Sequence, residues 1–388
     1  MSIVLPPPSP ILAMAKRAAD LKAAGHKIID LTLGEPDFNP PQHVIDAAHL
    51  ALDSRKLGYS PASGLPELRN AISSAFQRDR GLHYRDDEIA VGCGAKQIIF
   101  NAFLASIESG DEVIIPTPYW ASYPDMVGAC GGKPVIVDCS LMDSFRLKPE
   151  QLKAAITART RWLIINAPGN PSGVTYSAEH LQALGDVLLK HPHVMIMSDD
   201  IYAHIHFPDD GQSFNTLIAV VPQLRDRILS VDGVSKAYAM TGWRVGWGAG
   251  PKTLISRMIA IQSQNCTQTS SLSQLAATQA LLGPQQCLKE RKNIYRERRD
   301  IALSILKSSA LLAVNKPDGA FYLFPKLIGA RNDGDVVANE LLHQYNVAIV
   351  PGSAFGVPDA FRLSFATDTQ VLIEGCKRIA EYMGKSHK

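Results

Sequence analysis

Apolar positions along the chain follow two periods, and their alternation is the first structural signal. Short blocks rich in apolar residues recur over 88–91, 112–115, 134–137, 161–166, 194–197, 228–231 and 245–248. Each is too short for a helix and ends near glycine, proline, asparagine or aspartate, so each reads as a strand. Between several of them lie helical stretches: 66–78, the segment from Gly94 through Ile107, the segment after Trp120 to about Ala129, and 178–190. Strand–helix units repeated at this spacing predict a mostly parallel sheet with helices on both faces.

The flanks read differently. Residues 11–24 form a helix ended by Gly25, 27–33 a strand, and Pro40 and Pro41 open a further helix. After Gly250, 252–262 is helical, and 271–309 is a long helical region broken near Gly283 and Pro284. Short strands and helices over 320–324, 336–345, 348–350, 361–365 and 369–383 then make a second α+β unit. The expected division is an N-terminal arm (1–10), a small domain (11–44 with 291–388) and a large domain (45–290). The proline-rich, apolar arm cannot be helical and is expected to dock on another subunit.

Composition narrows the class. With 46% apolar and 20% charged residues, the 388-residue chain is ordinary for a soluble globular enzyme. A net charge of +2 provides no basic face for nucleic acid. The charged run 289–299 reads as a solvated helix face. Six cysteines (Cys93, Cys130, Cys139, Cys266, Cys287, Cys376) form no CxxC pair and read as free thiols in a reducing compartment. The pairs His191/His193 and His204/His206 lack companion cysteines or an HExxH pattern, so they read as surface or strand-edge residues and no metal is expected. The first residues lack a secretory pattern and no apolar run reaches membrane-spanning length, which points to a cytoplasmic protein.

The chemistry-bearing residues sit where strands end. Lys236 follows the apolar run 228–234, and Arg244 lies eight residues on. Asp199 ends a strand, with Tyr202 three residues later; Asn170 lies in a proline–glycine loop, and Tyr119 and Trp120 follow another strand. The turn 92–96 (Gly-Cys-Gly-Ala-Lys) opens a helix, where free N–H groups and the positive dipole end make an anion site. It matches neither GxxxxGK[ST] nor GxGxxG. Gly34 allows a close backbone approach, Tyr59 lies in a loop, and Arg362 lies in a late strand. Singly, each has an ordinary explanation as a surface charge, a cap or a core aromatic. Together they gather at strand C-termini, where open α/β sheets place their sites.

In this order the motifs resemble the class I aminotransferases of the pyridoxal-phosphate fold-type I superfamily, and more closely the bacterial aspartate aminotransferase group. The resemblance runs through 34–38 (Gly-Glu-Pro-Asp-Phe), Tyr59, 64–69, 118–120, 170–173, 198–202, 235–244, 319–322, 351–352 and 361–365. It implies an α/β fold with a mostly parallel seven-stranded sheet between helices and a smaller α+β domain. It also implies pyridoxal 5'-phosphate and a ping-pong transfer of an amino group from an L-amino acid to a 2-oxo acid. By resemblance, Lys236 forms the Schiff base with the cofactor and carries the proton at Cα, and Asp199 keeps the pyridinium nitrogen protonated. Tyr202 and Asn170 hydrogen-bond the ring oxygen, and Trp120 stacks on the ring. Gly94, Ala95, Lys96, Ser235 and Arg244 hold the phosphate, joined by Tyr59 from a neighbouring subunit, which implies a homodimer with shared sites. Arg362 clamps the substrate carboxylate, with Gly34, Trp120 and Asn170 beside it.

Specificity is expected to depart from the group. Where close relatives read Lys-Pro-Ser-Ala-Thr, this arm reads Pro-Pro-Ser-Pro-Ile over 7–11, and the stretch 262–271 holds no arginine or lysine. A neutral or aromatic side chain is therefore expected rather than a dicarboxylate. The same fold and cofactor serve β-lyases and synthases, which the motifs do not separate. A ligand-sensing regulator on this fold is the non-enzyme reading, and it is expected to carry a DNA-binding module ahead of the domain.

Overall fold

The computed structural model describes residues 10–54, 57–329 and 332–385. The expectations for arm residues 1–9 lie outside the described residues; Pro10, expected in the non-helical arm, instead opens the helix Pro10–Ala23, where a first-turn proline needs no N–H partner. Two residues, Ile29–Asp30, form β1. Seven further strands follow: β2 (Ile89–Gly92), β3 (Glu112–Pro116), β4 (Lys133–Val137), β5 (Thr160–Asn166), β6 (Met195–Asp199), β7 (Ile228–Gly233) and β8 (Gly246–Ala249). These seven make one sheet in the order β2-β8-β7-β6-β5-β3-β4. The steps from β7 to β4 are parallel, while β8 runs antiparallel to both of its neighbours.

Burial explains why these strands read as unbroken apolar runs. Ile114, Leu163, Ile165, Ile196 and Ile228 face one packed layer, and Val113, Ile115, Trp162, Ile164, Met197 and Leu229 face the other. Successive residues point to opposite faces, and helices cover both, so neither face needs polar residues. Register then sets the site. Asn166 pairs with Asp199, and Asp199 with Val231, so β5, β6 and β7 deliver their last residues to one edge of the sheet.

A separate core gathers Leu31, Phe321, Tyr322, Leu323, Ile349, Phe361, Leu363 and Ile379. Its small antiparallel sheet joins Tyr322–Leu323, Phe361–Ser364 and Val350–Pro351. The strand expected over 27–33 is shorter: β1 pairs in parallel with Val347–Ala348 and stops. Beyond it the backbone turns its carbonyls toward side chains, Thr32 to Arg362 and Gly34 to Lys236, so they are lost to a ladder.

The long helical region breaks as expected, into Ser271–Leu282 and Gln286–Leu306. Its charged run is not a solvated face throughout. Tyr295, Arg298 and Arg299 are buried. Arg299 donates to the carbonyls of Phe207 and Pro317 and pairs with Asp209; Arg298 pairs with Asp37. The Arg299 guanidinium serves as an internal cap for irregular backbone, while Arg298 is held by side chains, the Asp37 carboxylate and the Thr369 hydroxyl. His206 is likewise buried, bridging to Gly319, and burial pushes its pKa down to about 4. No described helix is long and apolar enough to cross a membrane.

Trp162 is the largest fully buried side chain; its indole N–H donates to Ser106 Oγ at 2.9 Å and its ring meets Phe103 edge-on. Trp162→Ala should lower unfolding stability by about 3–5 kcal/mol in urea titration. A loss below about 1 kcal/mol would mean that this layer repacks freely.

Candidate active site

A cavity of about 270 Å³ opens beyond the ends of β5, β6 and β7, walled on the far side by the second core. The anion-binding corner comes first. Gly94, at φ 83°, caps the helix Ala95–Ser106 without a side chain, so the first N–H groups stay free. A Cβ on Gly94 would overlap the Arg244 guanidinium, and one on Gly246 would overlap the Ala95 nitrogen. Arg244 donates to the carbonyls of Thr241 (2.8 Å) and Cys93 (3.2 Å), which holds its cationic head against the helix start. Ser235 lines the same corner.

At the cavity floor the Lys236 ammonium donates to the Gly34 carbonyl at 2.5 Å. Burial pulls its pKa down to about 8, with Arg362 and Arg244 adding to the effect and Glu35 and Asp199 opposing it. A substantial neutral fraction therefore exists near neutral pH, which an exposed lysine lacks.

Asp199 is buried and accepts the Tyr123 hydroxyl at 2.5 Å. Burial raises its pKa to about 6, and the Tyr123 hydrogen bond pulls the other way. Behind it, the Arg80 guanidinium sits between two more carboxylates: it meets Asp200 at 3.1 Å and forms an ion pair with Asp232. Ser198 donates to Asp200 at 2.8 Å. Burial still lifts Asp200 to about 7 despite Arg80.

Arg362, a cavity-lining residue, is also buried. Its guanidinium donates to Asn170 Oδ1 (3.0 Å) and the Thr32 carbonyl (2.6 Å), and lies over the rings of Tyr322 and Phe355 at 4.5 and 5.0 Å. Its Nε has no hydrogen-bond partner. Asn166 positions the facing loop by accepting the Asn170 N–H and donating to the Asp199 carbonyl, each at 2.9 Å.

Of the residues read from the sequence, Gly34, Ala95, Lys96, Trp120, Asn170, Asp199, Tyr202, Ser235, Lys236, Arg244 and Arg362 all line this cavity, and Gly94 abuts it. Tyr59 does not enter it; that side chain is 92% exposed. The Lys96 ammonium packs over Trp120 at 4.8 Å and donates to Ser122 Oγ at 3.2 Å, so only its backbone belongs to the helix start. Sequence reasoning missed Tyr123 and Tyr322, the latter sharing a 2.8 Å hydrogen bond with the Tyr202 hydroxyl. Both lie in or beside motifs already noted, but nothing local marks which tyrosine reaches a carboxylate. Ile11 and Glu35 also line the cavity.

Comparisons with known proteins place this geometry. A family model described as aminotransferase class I and II matches residues 26–379. The aspartate aminotransferase of Rhizobium meliloti is 48% identical over 383 residues, covering 96% of this chain and 93% of that protein. A probable aspartate/prephenate aminotransferase of Rickettsia felis is 46% identical, covering 97% and 94%. The crystal structure of the Rhizobium meliloti enzyme superposes with a TM-score of 0.93 at 46% identity, covering 98% of this chain and 99% of that one. An aromatic aminotransferase from Pyrococcus horikoshii superposes at 0.87 with 36% identity, covering 94% and 98%. The chain belongs to the class I and II aminotransferases. It is an aminotransferase, aspartate-aminotransferase-like in its reaction, of a pyridoxal-phosphate-dependent family that acts on amino acids and 2-oxo acids.

Arg80→Met should cost about 3–5 kcal/mol near neutral pH, because two buried carboxylates lose their counter-charge. The native pKa of Asp200, about 7, lies above its unfolded value of about 4, so native protein takes up the proton more readily. The deficit should therefore shrink as pH falls below about 7, which urea titrations at about pH 8 and about pH 5 would reveal. An equal deficit at both pH values would contradict the charge argument.

Proposed function

We propose that this cavity holds pyridoxal 5'-phosphate and carries out transamination there. The observation that carries the reading is Lys236: a half-buried amine whose pKa is pulled down to about 8, between an anion corner and an unneutralised guanidinium. The donor set suits the group. Glycines at 94 and 246 let the Arg244 guanidinium and the Ala95 backbone close on the helix start, Arg244 and the free helix N–H groups suit a phosphate, and the buried Asp199 suits a ring N–H.

When bound, pyridoxal phosphate supplies an aldehyde for the amino group and a ring that accepts the electron pair left at Cα. Lys236 would hold it through Nζ and, once freed, take the proton from Cα, a task for which a pKa near 8 is suited. Asp199, oriented by Tyr123, would keep the ring nitrogen protonated. Asn170 and Tyr202 would hold the ring oxygen, and Trp120 would cover one ring face. Gly94, Ala95, Lys96 through its N–H, Ser235 and Arg244 would hold the phosphate. Arg362, with the Gly34 backbone, would clamp the substrate α-carboxylate; its free Nε supports this.

The exposed Tyr59 fits a role in the site of a second copy, and we read the protein as a cytoplasmic homodimer with shared sites. We also read the chain as an arm (1–10), a small domain (11–44 with 291–388) and a large domain (45–290). Separate hydrophobic cores support this, with Val44 already packed on the large-domain side.

For the side chain, the lining supports a neutral or aromatic substrate: Ile11 and Trp120 present apolar surface, and Glu35 would repel a second carboxylate. A dicarboxylate reading is favoured by the Lys96 ammonium, a cavity cation not used for the cofactor, and by relatives named for aspartate.

Lys236→Ala should abolish transamination, measured as 2-oxo acid formed from amino acid; turnover at the parent rate would end the proposal. In a donor panel, neutral or aromatic amino acids should exceed aspartate and glutamate in kcat/KM. The reverse order would establish the dicarboxylate reading.

A further inference from the structure

Two cysteines 173 residues apart in sequence meet at the anion corner: Cys93 Sγ and Cys266 Sγ lie 4.0 Å from each other. They lie 4.0 and 3.8 Å from the same Gln268 carbonyl. Both are half-buried, whereas Cys139 and Cys376 are fully buried. One amide spans the pair: Gln97 Oε1 accepts the Cys93 N–H at 2.6 Å, and its Nε2 donates to Cys266 Sγ at 2.9 Å. Neither cysteine belongs to a helix or a ladder. Cys93 lies in the turn between β2 and the helix Ala95–Ser106, and Cys266 caps the helix Lys252–Asn265. Both segments can therefore adjust without breaking regular backbone pairing.

We infer that Cys93 and Cys266 form a dithiol modification site at which a hydroperoxide closes a disulfide beside the anion-binding turn. Bonded sulfurs lie about 2.0 Å apart, so each must move by about 1 Å, within reach of two irregular segments. The chemistry balances in two steps. One thiol takes an oxygen from the peroxide and becomes a sulfenic acid, releasing one water (or the alcohol of an organic peroxide). The second thiol attacks that sulfur, forms the S–S bond and releases a second water. Two thiols lose two hydrogens and two electrons, and the peroxide is reduced.

Electrostatics set the response. Burial and the neighbouring sulfur push the Cys93 thiol up, while Arg244 and Thr269 oppose this. A raised thiol holds less of the reactive thiolate, which slows the first step. The consequence is local. Cys93 carries the carbonyl that receives Arg244, and Gln268 accepts the Ser60 N–H, so the bond ties together the anion turn, the segment 266–269 and the loop that holds Tyr59.

The test treats purified full-length protein with hydrogen peroxide, then alkylates it in denaturant so that the buried cysteines also react, and maps peptides without reduction. We expect alkylatable thiols to fall from six to four, a linked Cys93–Cys266 peptide lighter by two hydrogens, and full reversal by dithiothreitol. Cys93→Ser and Cys266→Ser should each abolish the linked peptide while keeping the parent circular-dichroism melt. In Cys266→Ser, the remaining Cys93 should stop at a sulfenic acid that dimedone traps. A parent protein that yields no Cys93–Cys266 link, or that links other cysteines as readily, would overturn the assignment.

Discussion

A guanidinium without a carboxylate is the constraint around which this protein is arranged. Arg362 is buried and carries no ion pair among the described residues; instead it has an amide oxygen, a backbone carbonyl and two aromatic faces. A buried cation is tolerable only when its remaining donors have somewhere to go. Here that place is the cavity. Three distant parts of the chain must meet to hold it: the backbone after β1, the loop carrying Asn170 and the strand Phe361–Ser364. The cavity thus exists only when both hydrophobic cores are formed and docked.

Arg80 shows the other solution to the same problem. Its side chain is also largely buried, at 6% exposure, but Asp200 and Asp232 neutralise it. The two arginines lie on opposite sides of the strand ends that carry Asp199 and lead to Lys236. One side is electrostatically closed; the other is left with cationic donors lining the cavity. Burial then moves Asp199 up and Lys236 down, each toward its neutral form. Both shifts come from desolvation at the strand ends that line the cavity, where perturbed groups mark a candidate site.

Much of this was legible in the residues. The seven strands appear as apolar blocks because both faces of the sheet are covered, and the turn at Gly94 reads as an anion site because glycine before a helix leaves N–H groups free. Other features were invisible for identifiable reasons. The run 289–299 looks solvated because charge is its only local signal; that Arg298 pairs with a carboxylate and Arg299 caps irregular backbone depends on where Asp37, Phe207 and Pro317 lie in space. Tyr123 and Tyr322 sit among other aromatics, and only packing selects the hydroxyl that reaches Asp199 or Tyr202. Lys96 was read with the phosphate corner, yet its ammonium lies over Trp120, because a helix's first residues point their N–H groups and their side chains in different directions.

By itself, then, the sequence determined the class of fold, the order of its elements and the residue types gathered at strand ends, since periodicity, turn chemistry and motif spacing are local properties of a chain. Only the tertiary structure decided which charges are paired and which are left open, which half-buried thiols touch across 173 residues, and how far the pKa of Lys236 falls. Those are matters of distance and desolvation. They depend on what lies within a few ångströms in space, and the linear order of residues does not specify that until the cores have packed.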